Sequence, residues 1–399
     1  MDTLSKSAPA CDPGQRLTAD VVVIGAGIIG ASCAFALARA GLAVHLVERD
    51  APARGTSGAC EGNLVLWDRP TSADLHLAMW SHQRWAELAV ELPAQTGIDI
   101  EYDRKGSLMI VRDEGDVAAA QVKCAWLAAE GVPLEWLDQA GVHAAEPDLA
   151  PDIALAVHFP ADAQIEPRLA TAALVSAARG LGAGIHNHEA VLSIESSEAA
   201  TMVQTVRHRI TASWVVVAAG VWTPDVLRML GVDLQVSARK GQIAIVAGAP
   251  IKVHHKVMEA SYMTTVANDE TELQVAAVVE ATRAGSILMG SSRLLTHPND
   301  RRVDLEVVNR IVAKGVSLFP GLASGKVVRS YAGVRPLSPD HSPIIGPLPM
   351  APRVVLATGH EGGGVMMGAA TGDLVACLIA GRAAPVPFEP YLPSRFFSH

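Results

Sequence analysis

Residues 20–49 read DVVVIGAGIIGASCAFALARAGLAVHLVER, and this stretch decides the fold. The apolar run at 21–24, rich in β-branched residues, predicts a buried parallel strand. Directly after it, GAGIIG at 25–30 matches the pattern G-x-G-x-x-G. The Ala-rich segment that follows predicts a helix, and 43–47 predicts a second strand that ends in Glu48. A strand, a glycine turn, a helix, a second strand and an acid in this order predict a dinucleotide-binding unit.

The residues of this motif have different predicted roles. Gly25 permits a tight turn, Gly27 lets a pyrophosphate approach the backbone, and Gly30 lets the helix pack closely on the strand. The helix is predicted over 29–40, and the free N–H groups at its N-terminus attract phosphate. Glu48 can accept hydrogen bonds from ribose hydroxyls and disfavours a 2′-phosphate, which argues against NADP. The motif binds only the ADP half of a cofactor, so it does not distinguish NAD from FAD. The alternative to a dinucleotide-binding motif is a glycine-rich turn in an α/β core.

Size and composition limit the class of protein. The chain has 399 residues, of which 50% are hydrophobic and 18% are charged, enough for the cores of two domains. Its net charge of −9 is spread without a polybasic patch, which argues against nucleic acid or anionic membranes as partners. The five cysteines are scattered and never form C-x-x-C, which predicts a reduced, cytoplasmic protein. No apolar run reaches about 18 residues, so no transmembrane segment is predicted.

A second glycine loop lies near the other end of the chain. A strand is predicted at 353–357, and it runs into TGHEGGG at 358–364 and then into a helix. Antiparallel strands are predicted between the two ends, at 257–295. The predicted fold class is therefore α/β (α+β overall), a discontinuous Rossmann-like nucleotide-binding domain with an inserted antiparallel-sheet substrate domain. The predicted ranges are 1–18 for an N-terminal extension, 19–80, 150–225 and 326–385 for the nucleotide-binding domain, 81–149 and 226–325 for the substrate domain, and 386–399 for a C-terminal tail.

The second glycine loop also favours one cofactor. The helix after it presents another N-terminus to a ligand. NAD dehydrogenases do not need such a loop, whereas a cofactor with a ribityl chain and a flavin ring does. The stretch 49–63 is rich in small residues, and Ser57 offers a donor that would extend the phosphate site. The alternative for residues 49–63 is an ordinary surface loop. Because a second glycine loop suits a cofactor with a ribityl chain and a flavin ring, we predict FAD.

Several motifs together resemble one family. They are GAGIIG with Glu48, RKGQ at 239–242, AGVRP at 332–336 and TGHEGGG at 358–364. Their arrangement resembles the FAD-dependent amine and amino-acid oxidoreductases that include D-amino-acid oxidase, glycine oxidase and sarcosine oxidase. Within that family, SGACEGN at 57–63 and GHEGGG are most similar to the flavoprotein (β) subunits of bacterial opine, proline and hydroxyproline dehydrogenase complexes.

This resemblance implies roles for particular residues. Arg335 matches the Arg that binds the substrate carboxylate, for which a guanidinium is a bidentate partner; the alternative is a surface ion pair. Tyr262 resembles the Tyr placed over the substrate, although packing would equally explain it. His360 would lie near the pyrimidine edge of the flavin, with a cap or loop role as the alternative. The implied cofactor-binding residues are Gly25, Gly27, Ile28, Gly30, Glu48, Arg49, Ser57, Gly62, Asn63, Val191, Ala219, Gly220, Gly359, His360, Glu361, Gly362, Gly363 and Gly364.

The resemblance also implies a reaction, in which a hydride passes from Cα–H to flavin N5 and the C–N bond of an amino acid is oxidised. The predicted substrate is a secondary amine of the opine, proline or hydroxyproline type. The predicted protein is the catalytic subunit of a dehydrogenase complex, with FMN or Fe–S in a partner subunit. Two alternatives remain, a stand-alone glycine or sarcosine-type oxidase that uses O₂, and a flavin-binding relay or assembly subunit.

Two absences complete the prediction. Monomeric sarcosine oxidases attach their flavin to a Cys shortly before the carboxylate-binding region. Here no Cys lies between Cys124 and Cys377, so FAD is predicted to be noncovalent. No metal site is predicted, because the pair His254 and His255 has no evident third ligand.

Overall fold

A computed structural model describes residues 14–262 and 272–397. Its strands, in chain order, are β1 (Gln15–Ile24), β2 (Val44–Val47), β3 (Asn63–Leu64), β4 (Ser107–Ile110), β5 (Glu135–Asp138), β6 (Leu155–Phe159), β7 (Ala163–Gln164), β8 (Gly184–His186), β9 (Val191–Ser196), β10 (Thr201–Thr205), β11 (His208–Val217), β12 (Ser237–Ala247), β13 (Lys256–Glu259), β14 (Gln274–Ala281), β15 (Ile287–Thr296), β16 (Lys326–Leu337), β17 (Ile344–Leu348) and β18 (Ala351–Thr358). Its α-helices are α1 (Ile28–Arg39), α2 (Ser72–Thr96), α3 (Glu114–Ala129), α4 (Gln139–Ala145), α5 (Pro167–Gly180), α6 (Thr223–Arg228), α7 (Leu305–Leu318) and α8 (Gly364–Ile379).

The first sheet contains the predicted nucleotide-binding strands. Its order is β17-β18-β11-β1-β2-β8, and β10 and β9 extend it antiparallel from β11. The central neighbours run parallel, with Val21 opposite Val44 on one side and Trp214 on the other. The side chains of residues 21–23 have no exposed surface, as expected for a parallel strand covered on both faces. The predicted strand–helix–strand start of the chain is confirmed.

Small residues let the helices on this sheet pack closely. The helix α1 lies between α5 and α8, and α2 packs on α8. A Cβ added to Gly372 of α8 would lie 2.5 Å from the Ser32 carbonyl of α1, so a side chain there would separate the two helices. The indole of Trp85 in α2 donates to the carbonyl of Val365 at 2.9 Å, which ties α2 to the start of α8.

The segment Glu361–Ile379 is long and apolar enough to cross a membrane by length and composition. However, 67% of it is buried inside the fold, where α8 packs against α1 and α2. The core helix of an α/β domain passes the same test, and the burial of α8 is that of a core helix.

The second sheet has the order β16-β12-β15-β14-β13-β4-β6-β5. Its neighbours are antiparallel except for β13 and β4, which run parallel, so the predicted antiparallel sheet is in fact mixed. The helix α7 covers one face of this sheet, and Val307, Ile311 and Leu318 pack there with Val279 and Met289. This apolar layer is the core of the second sheet.

Sheet membership crosses the predicted domain ranges at three places, and the ranges themselves stay a prediction. The strand β16 pairs with β12 along most of its length, although residues 326–385 had been assigned to the nucleotide-binding domain. The strand β6 pairs with β4 and β5 in the second sheet, although it lies within 150–225. The helix α2 runs across the predicted boundary at 80. Backbone hydrogen bonds between segments distant in sequence set these boundaries, and composition shifts do not reveal them.

Candidate functional site

A deep cleft opens where the carboxyl ends of β1, β2, β11 and β18 meet the starts of α1 and α8. The cavity inside it has a volume of about 320 Å³, which lies within the ~300–1,000 Å³ of small-molecule sites. We call it the cofactor cleft. Its walls contain these predicted cofactor-binding residues: Gly25, Gly27, Ile28, Glu48, Arg49, Ser57, Val191, Ala219, Gly220, His360, Glu361, Gly362 and Gly364.

The glycine motif leaves no room for side chains. Gly25 has φ +102°, and a Cβ on it would lie 2.6 Å from the Ala218 carbonyl oxygen. A Cβ on Gly30 would overlap the carbonyl oxygen of Gly25. Gly25 therefore makes the turn, and Gly30 packs α1 against β1 without lining the cleft. Both findings agree with the roles predicted from the motif.

Hydrogen bonds fix the polar groups at this turn. The carboxylate of Glu48 accepts from the backbone N–H of Ala26 at 2.8 Å and of Asp50 at 2.9 Å. The hydroxyl of Ser57 accepts from the N–H of Ile28 at 2.9 Å. A carboxylate has further lone pairs, so Glu48 can still accept hydrogen bonds from ribose hydroxyls. The donor and acceptor set fits the ADP half of FAD.

Cationic side chains gather at the mouth of the cleft around Trp222. The guanidinium of Arg49 lies 3.9 Å from the Trp222 ring centroid, and that of Arg301 lies 5.6 Å from it. The indole N–H donates to Asn299 Oδ1 at 3.1 Å, which holds the ring in place. Arg54 lines the same cleft. These cations supply positive potential for a pyrophosphate.

The second glycine loop is anchored by His360. Its Nε2 lies 3.0 Å from Thr371 Oγ1 in α8, and burial lowers the pKa of the imidazole to about 3. The ring is therefore neutral at ordinary pH. Through its contact with α8, His360 anchors the loop, and it also lines the cleft. Gly359, with φ +76°, and Gly363, which packs against Arg69, lie behind the wall of the cleft. Cofactor contacts by these two glycines stay predictions.

A smaller pocket, with a cavity volume of about 40 Å³, adjoins the cofactor cleft. Residues common to both walls include Cys60, Arg335 and Gly362. The smaller pocket, and not the cofactor cleft, contains Gly62 and Asn63, which had been predicted to bind the cofactor. The structure brings the two predicted substrate residues, Arg335 and Tyr262, together in its wall.

Buried charges support this smaller pocket. Lys256 Nζ lies 2.8 Å from Glu280 Oε2 and 3.4 Å from Glu61 Oε2, and it also donates to Asn63 Oδ1. Burial by itself would raise the pKa of Glu61, but Lys256, Asn63 and Arg335 outweigh it and lower that pKa. Burial raises the pKa of Glu280, despite the nearby ammonium. Glu61 is thus an ionised carboxylate in the pocket wall.

Tyr262 is held by a cation. The guanidinium of Arg293 lies 4.4 Å from the Tyr262 ring centroid. Arg293 and Arg239 also lie 3.9 Å and 3.8 Å from Glu361 Oε1. Burial would raise the pKa of Glu361, but Arg293, Arg335 and Arg239 lower it. Positive charge therefore dominates the junction of pocket and cleft.

Cys60 faces both cavities without becoming reactive. Its Sγ lies 3.2 Å from the carbonyl oxygen of Ser57, and burial raises the pKa of the thiol to about 12. A protonated thiol is a poor nucleophile. Noncovalent FAD therefore stays the prediction.

Sequence reasoning missed several residues of this site: Glu61, Lys256, Glu280, Trp222 and Arg301. Glu61 lies inside the SGACEGN motif, which was singled out for its similarity and not for its carboxylate. The others come from strands and loops far away in sequence, and no local pattern marks them.

Comparisons with known proteins agree with this geometry. The model of the family "FAD dependent oxidoreductase" (DAO) matches residues 20–378. A glycine oxidase of Pseudomonas aeruginosa is 31% identical over 380 residues, which cover 94% of this chain and 98% of that protein. HcnC, a hydrogen cyanide synthase subunit of Pseudomonas protegens, is 26% identical over 94% of this chain and 96% of its own. The crystal structure of glycine oxidase from Geobacillus kaustophilus has a TM-score of 0.87 at 26% identity, over 96% of this chain and all of that chain.

The family match covers both sheets and both glycine loops. The cleft offers a backbone turn without side chains, a helix N-terminus, a fixed carboxylate and cations, which together suit FAD. The chain therefore belongs to the FAD-dependent oxidoreductase family that includes glycine oxidase, and it is an FAD-dependent oxidoreductase of the amino-acid and amine-oxidising type.

Proposed function

We propose that this enzyme oxidises the C–N bond of an amino acid that carries a secondary amine, of the opine, proline or hydroxyproline type. The observation that carries the proposal is the presence of Arg335 and Glu61 in the wall of the smaller pocket. A guanidinium and a carboxylate complement the two charges of an amino acid. Because the pocket joins the cofactor cleft, a substrate bound there would lie beside the cofactor.

Arg335 is prepared to hold a carboxylate. Its Nη1 donates to the carbonyl oxygen of Ser292 at 3.0 Å, and its guanidinium lies against Gly241, where any Cβ would clash with it. A guanidinium has five N–H donors, so one bond to Ser292 leaves enough for bidentate capture. A carboxylate held in this way fixes the direction of the substrate Cα–H bond.

Glu61 is suited to the amine. Its Oε2 accepts from Asn63 Nδ2 at 3.0 Å, and its Oε1 has no hydrogen-bond partner among the described residues. An ionised, immobile carboxylate would accept an N–H bond from a primary or a secondary amine. The choice of a secondary amine is supported by SGACEGN at 57–63, which is similar to the flavoprotein subunits of opine, proline and hydroxyproline dehydrogenase complexes.

Bound FAD would supply a two-electron acceptor for the Cα–H bond. As the hydride leaves Cα, the nitrogen lone pair forms the C=N bond, so the amine has to be neutral at that moment. The product is an iminium ion, which loses its N–H proton to water to give an imine; the imine hydrolyses or, if cyclic, persists. The contribution of the chain is to position the substrate through Arg335 and Glu61.

We further propose that the chain is the catalytic subunit of a dehydrogenase complex. HcnC, which is similar over nearly the full length of both chains, is named as a subunit of a synthase. The full-length similarity to glycine oxidase favours a second candidate, a stand-alone oxidase that passes its electrons to O₂. The acceptor separates the two, because oxygen consumption by the isolated chain supports the oxidase.

The experiment is anaerobic mixing of the holoenzyme with glycine, sarcosine, proline, hydroxyproline and an N-carboxyalkyl amino acid, followed by the visible absorbance of the flavin. We expect a secondary amine to bleach it fastest. Arg335→Met should lower the second-order rate of bleaching by about a hundredfold or more, since it removes a charged partner. Arg329→Met is the matched control, because Arg329 is exposed on the same strand β16. It should leave the rate unchanged.

Three outcomes would contradict the proposal. Fast bleaching by glycine alone would favour the stand-alone oxidase. Bleaching by none of the amines would favour the relay subunit. Equal rates for Arg335→Met and Arg329→Met would remove Arg335 from substrate binding.

A further inference from the structure

Three ligand-type side chains meet behind the wall of the cofactor cleft. They are His186 at the end of β8, Glu189 in the loop that follows, and His208 at the start of β11. Within residues 14–262 and 272–397, no other group of three or more His, Cys, Asp and Glu ligand atoms has this geometry. We propose that these three side chains bind a divalent transition-metal ion of the Zn²⁺ type, outside the redox site.

The distances suit a metal after small adjustments. One ligand atom from each residue lies within 4.8 Å of the other two. Glu189 lies between the imidazoles, with His208 Nδ1 at 2.5 Å from Oε1 and His186 Nδ1 at 3.7 Å from Oε2. Ligand atoms ~2.0–2.1 Å from a tetrahedral Zn²⁺ lie roughly 3.3 Å apart, so shifts of about 1 Å would form the site. Two imidazoles, one carboxylate and one open position make a ligand set that Zn²⁺ accepts in proteins.

The surroundings resemble the supporting groups of a metal site. His45 Nδ1 lies 2.8 Å from His186 Nε2, which leaves His186 Nδ1 facing Glu189. Thr205 Oγ1 donates to Glu189 Oε1 and orients the carboxylate. Metal-binding imidazoles usually engage their second nitrogen, and metal-binding carboxylates are themselves hydrogen-bonded. The arrangement therefore contains both the ligands and the groups that orient them.

Glu189 is costly to bury without a cation. Its side chain is only 1% exposed, and Oε2 has no hydrogen-bond partner among the described residues. One cation already approaches that oxygen, since Arg207 Nε lies 3.5 Å away. The Arg207 side chain is 56% exposed, and its Nη2 donates to the carbonyl oxygen of Asn187 at 2.6 Å. A divalent ion bound directly to the buried carboxylate would offset its charge more strongly than this 3.5 Å pairing does.

The site is connected to the cofactor cleft through the backbone. The N–H of Glu48 donates to the carbonyl oxygen of His186 at 2.8 Å, and the N–H of Glu189 donates to the carbonyl oxygen of Glu48 at 2.8 Å. Glu189 and the next two residues, Ala190 and Val191, line the cleft. A metal that fixes residues 186–191 would therefore hold Glu48 and one wall of the cleft. Its chemical role is structural support at the adenosine end.

The test uses the FAD-loaded enzyme, treated with EDTA and then titrated with Zn²⁺ by calorimetry, with bound metal counted by mass spectrometry. We expect one Zn²⁺ per chain. His186→Ala and His208→Ala should each weaken Zn²⁺ binding by more than about a hundredfold, and His45→Ala by about tenfold. The control is His188→Asn, because the His188 side chain is 73% exposed and points away from the three ligands, towards Asp50. The His188→Asn variant should bind Zn²⁺ as tightly as the unchanged enzyme does.

The proposal is overturned if the enzyme binds no stoichiometric Zn²⁺, or if His186→Ala and His208→Ala bind it as the control does. Where a variant does not fold, diethyl pyrocarbonate labelling of the unchanged enzyme gives a second reading. Protection of His186 and His208 by Zn²⁺, with continued labelling of His188, supports the site. Equal labelling with and without Zn²⁺ overturns it.

Discussion

The cofactor cleft and the smaller pocket lie side by side, but backbone atoms dominate the first and charged side chains dominate the second. Backbone forms the cleft, through a glycine turn, the start of α1 and close helix packing at Gly30. Charged side chains support the pocket: Glu61 and Arg335 lie in its wall, and Lys256 and Glu280 come from two further segments as the buried partners of Glu61. Residues close together in sequence can form a site from backbone atoms. A site formed by charged side chains needs residues from strands that are distant in sequence.

This difference predicts which substitutions disrupt each region. A site formed by backbone atoms should be disrupted when a side chain is added to a glycine, because nothing around a glycine turn can move aside. A site made of buried charges should fail when one charge is removed, because the others lose their partner. Substitutions in each region therefore test the distinction.

The largest expected effect is in the pocket. Lys256→Met leaves two buried carboxylates, Glu61 and Glu280, without their shared ammonium. Removing one member of a buried ion pair costs about 3–5 kcal/mol, so we expect the free energy of unfolding to fall by that amount. Urea denaturation of the holoenzyme measures it.

An exposed ion pair near the same sheet provides the matched control. Arg283 and Asp99 are 2.5 Å apart, with side chains 51% and 61% exposed. Arg283→Met should cost less than about 1 kcal/mol, because water screens such pairs. Similar losses for Lys256→Met and Arg283→Met would show that burial of charge does not set the stability of the pocket.

The second effect is in the cleft. A Cβ on Gly30 would overlap the carbonyl oxygen of Gly25, so Gly30→Ala has to push α1 away from the turn. We expect the FAD dissociation constant to rise by about a hundredfold, which corresponds to about 2.7 kcal/mol. Fluorescence titration of the apoprotein with FAD measures it.

Gly115→Ala is the control for this substitution. Gly115 lies in α3, where an added Cβ meets nothing within 4 Å. In a helix, Ala is favoured over Gly by about 1 kcal/mol, so the control should be neutral or slightly stabilising and should bind FAD normally. Normal FAD binding by Gly30→Ala would contradict a cleft built on backbone contact.

The same difference explains what could be predicted from the sequence. The run at 21–24, the turn at 25–30 and Glu48 predicted the first strands and the dinucleotide site, because the residues that touch are close in sequence. Arg335 was found through a motif that resembles a known family. Glu61 and its partner Lys256 were missed, because Lys256 is 195 residues away and no spacing rule connects the two.

Sheet membership crosses the predicted domain ranges for a related reason. The strand β16 lies between helix α7 and the last nucleotide-binding strands, within the range predicted for the nucleotide-binding domain. Its hydrogen bonds go to β12 instead, with Arg239 opposite Arg335. This pairing brings the RKGQ and AGVRP motifs together. Each motif by itself resembles the family, and together they form one wall where the smaller pocket meets the cofactor cleft.

The last expected effect concerns the pH dependence of stability and a buried carboxyl, Asp162. Asp162 accepts hydrogen bonds from Ser107 Oγ at 2.6 Å and from the Leu66 N–H at 3.1 Å. Burial raises the pKa of Asp162 from its usual 3.8 to about 7. Unlike Glu61, Asp162 has no ammonium within hydrogen-bond distance among the described residues, and burial therefore outweighs its hydrogen bonds.

The sign of the resulting pH dependence follows from the raised pKa. Between about pH 4 and pH 7 the folded chain keeps a proton that the unfolded chain has released, so this group makes the free energy of unfolding fall as pH rises. The slope is about 1.4 kcal/mol per pH unit, and it levels off above about pH 7. Asp162→Asn removes this component, because the amide resembles the protonated carboxyl. Urea denaturation at pH 5, 6 and 7 should therefore give a variant that gains stability relative to the unchanged protein at each step. Parallel curves would show that Asp162 is ionised in the fold, and that a buried carboxylate here needs no cation beside it.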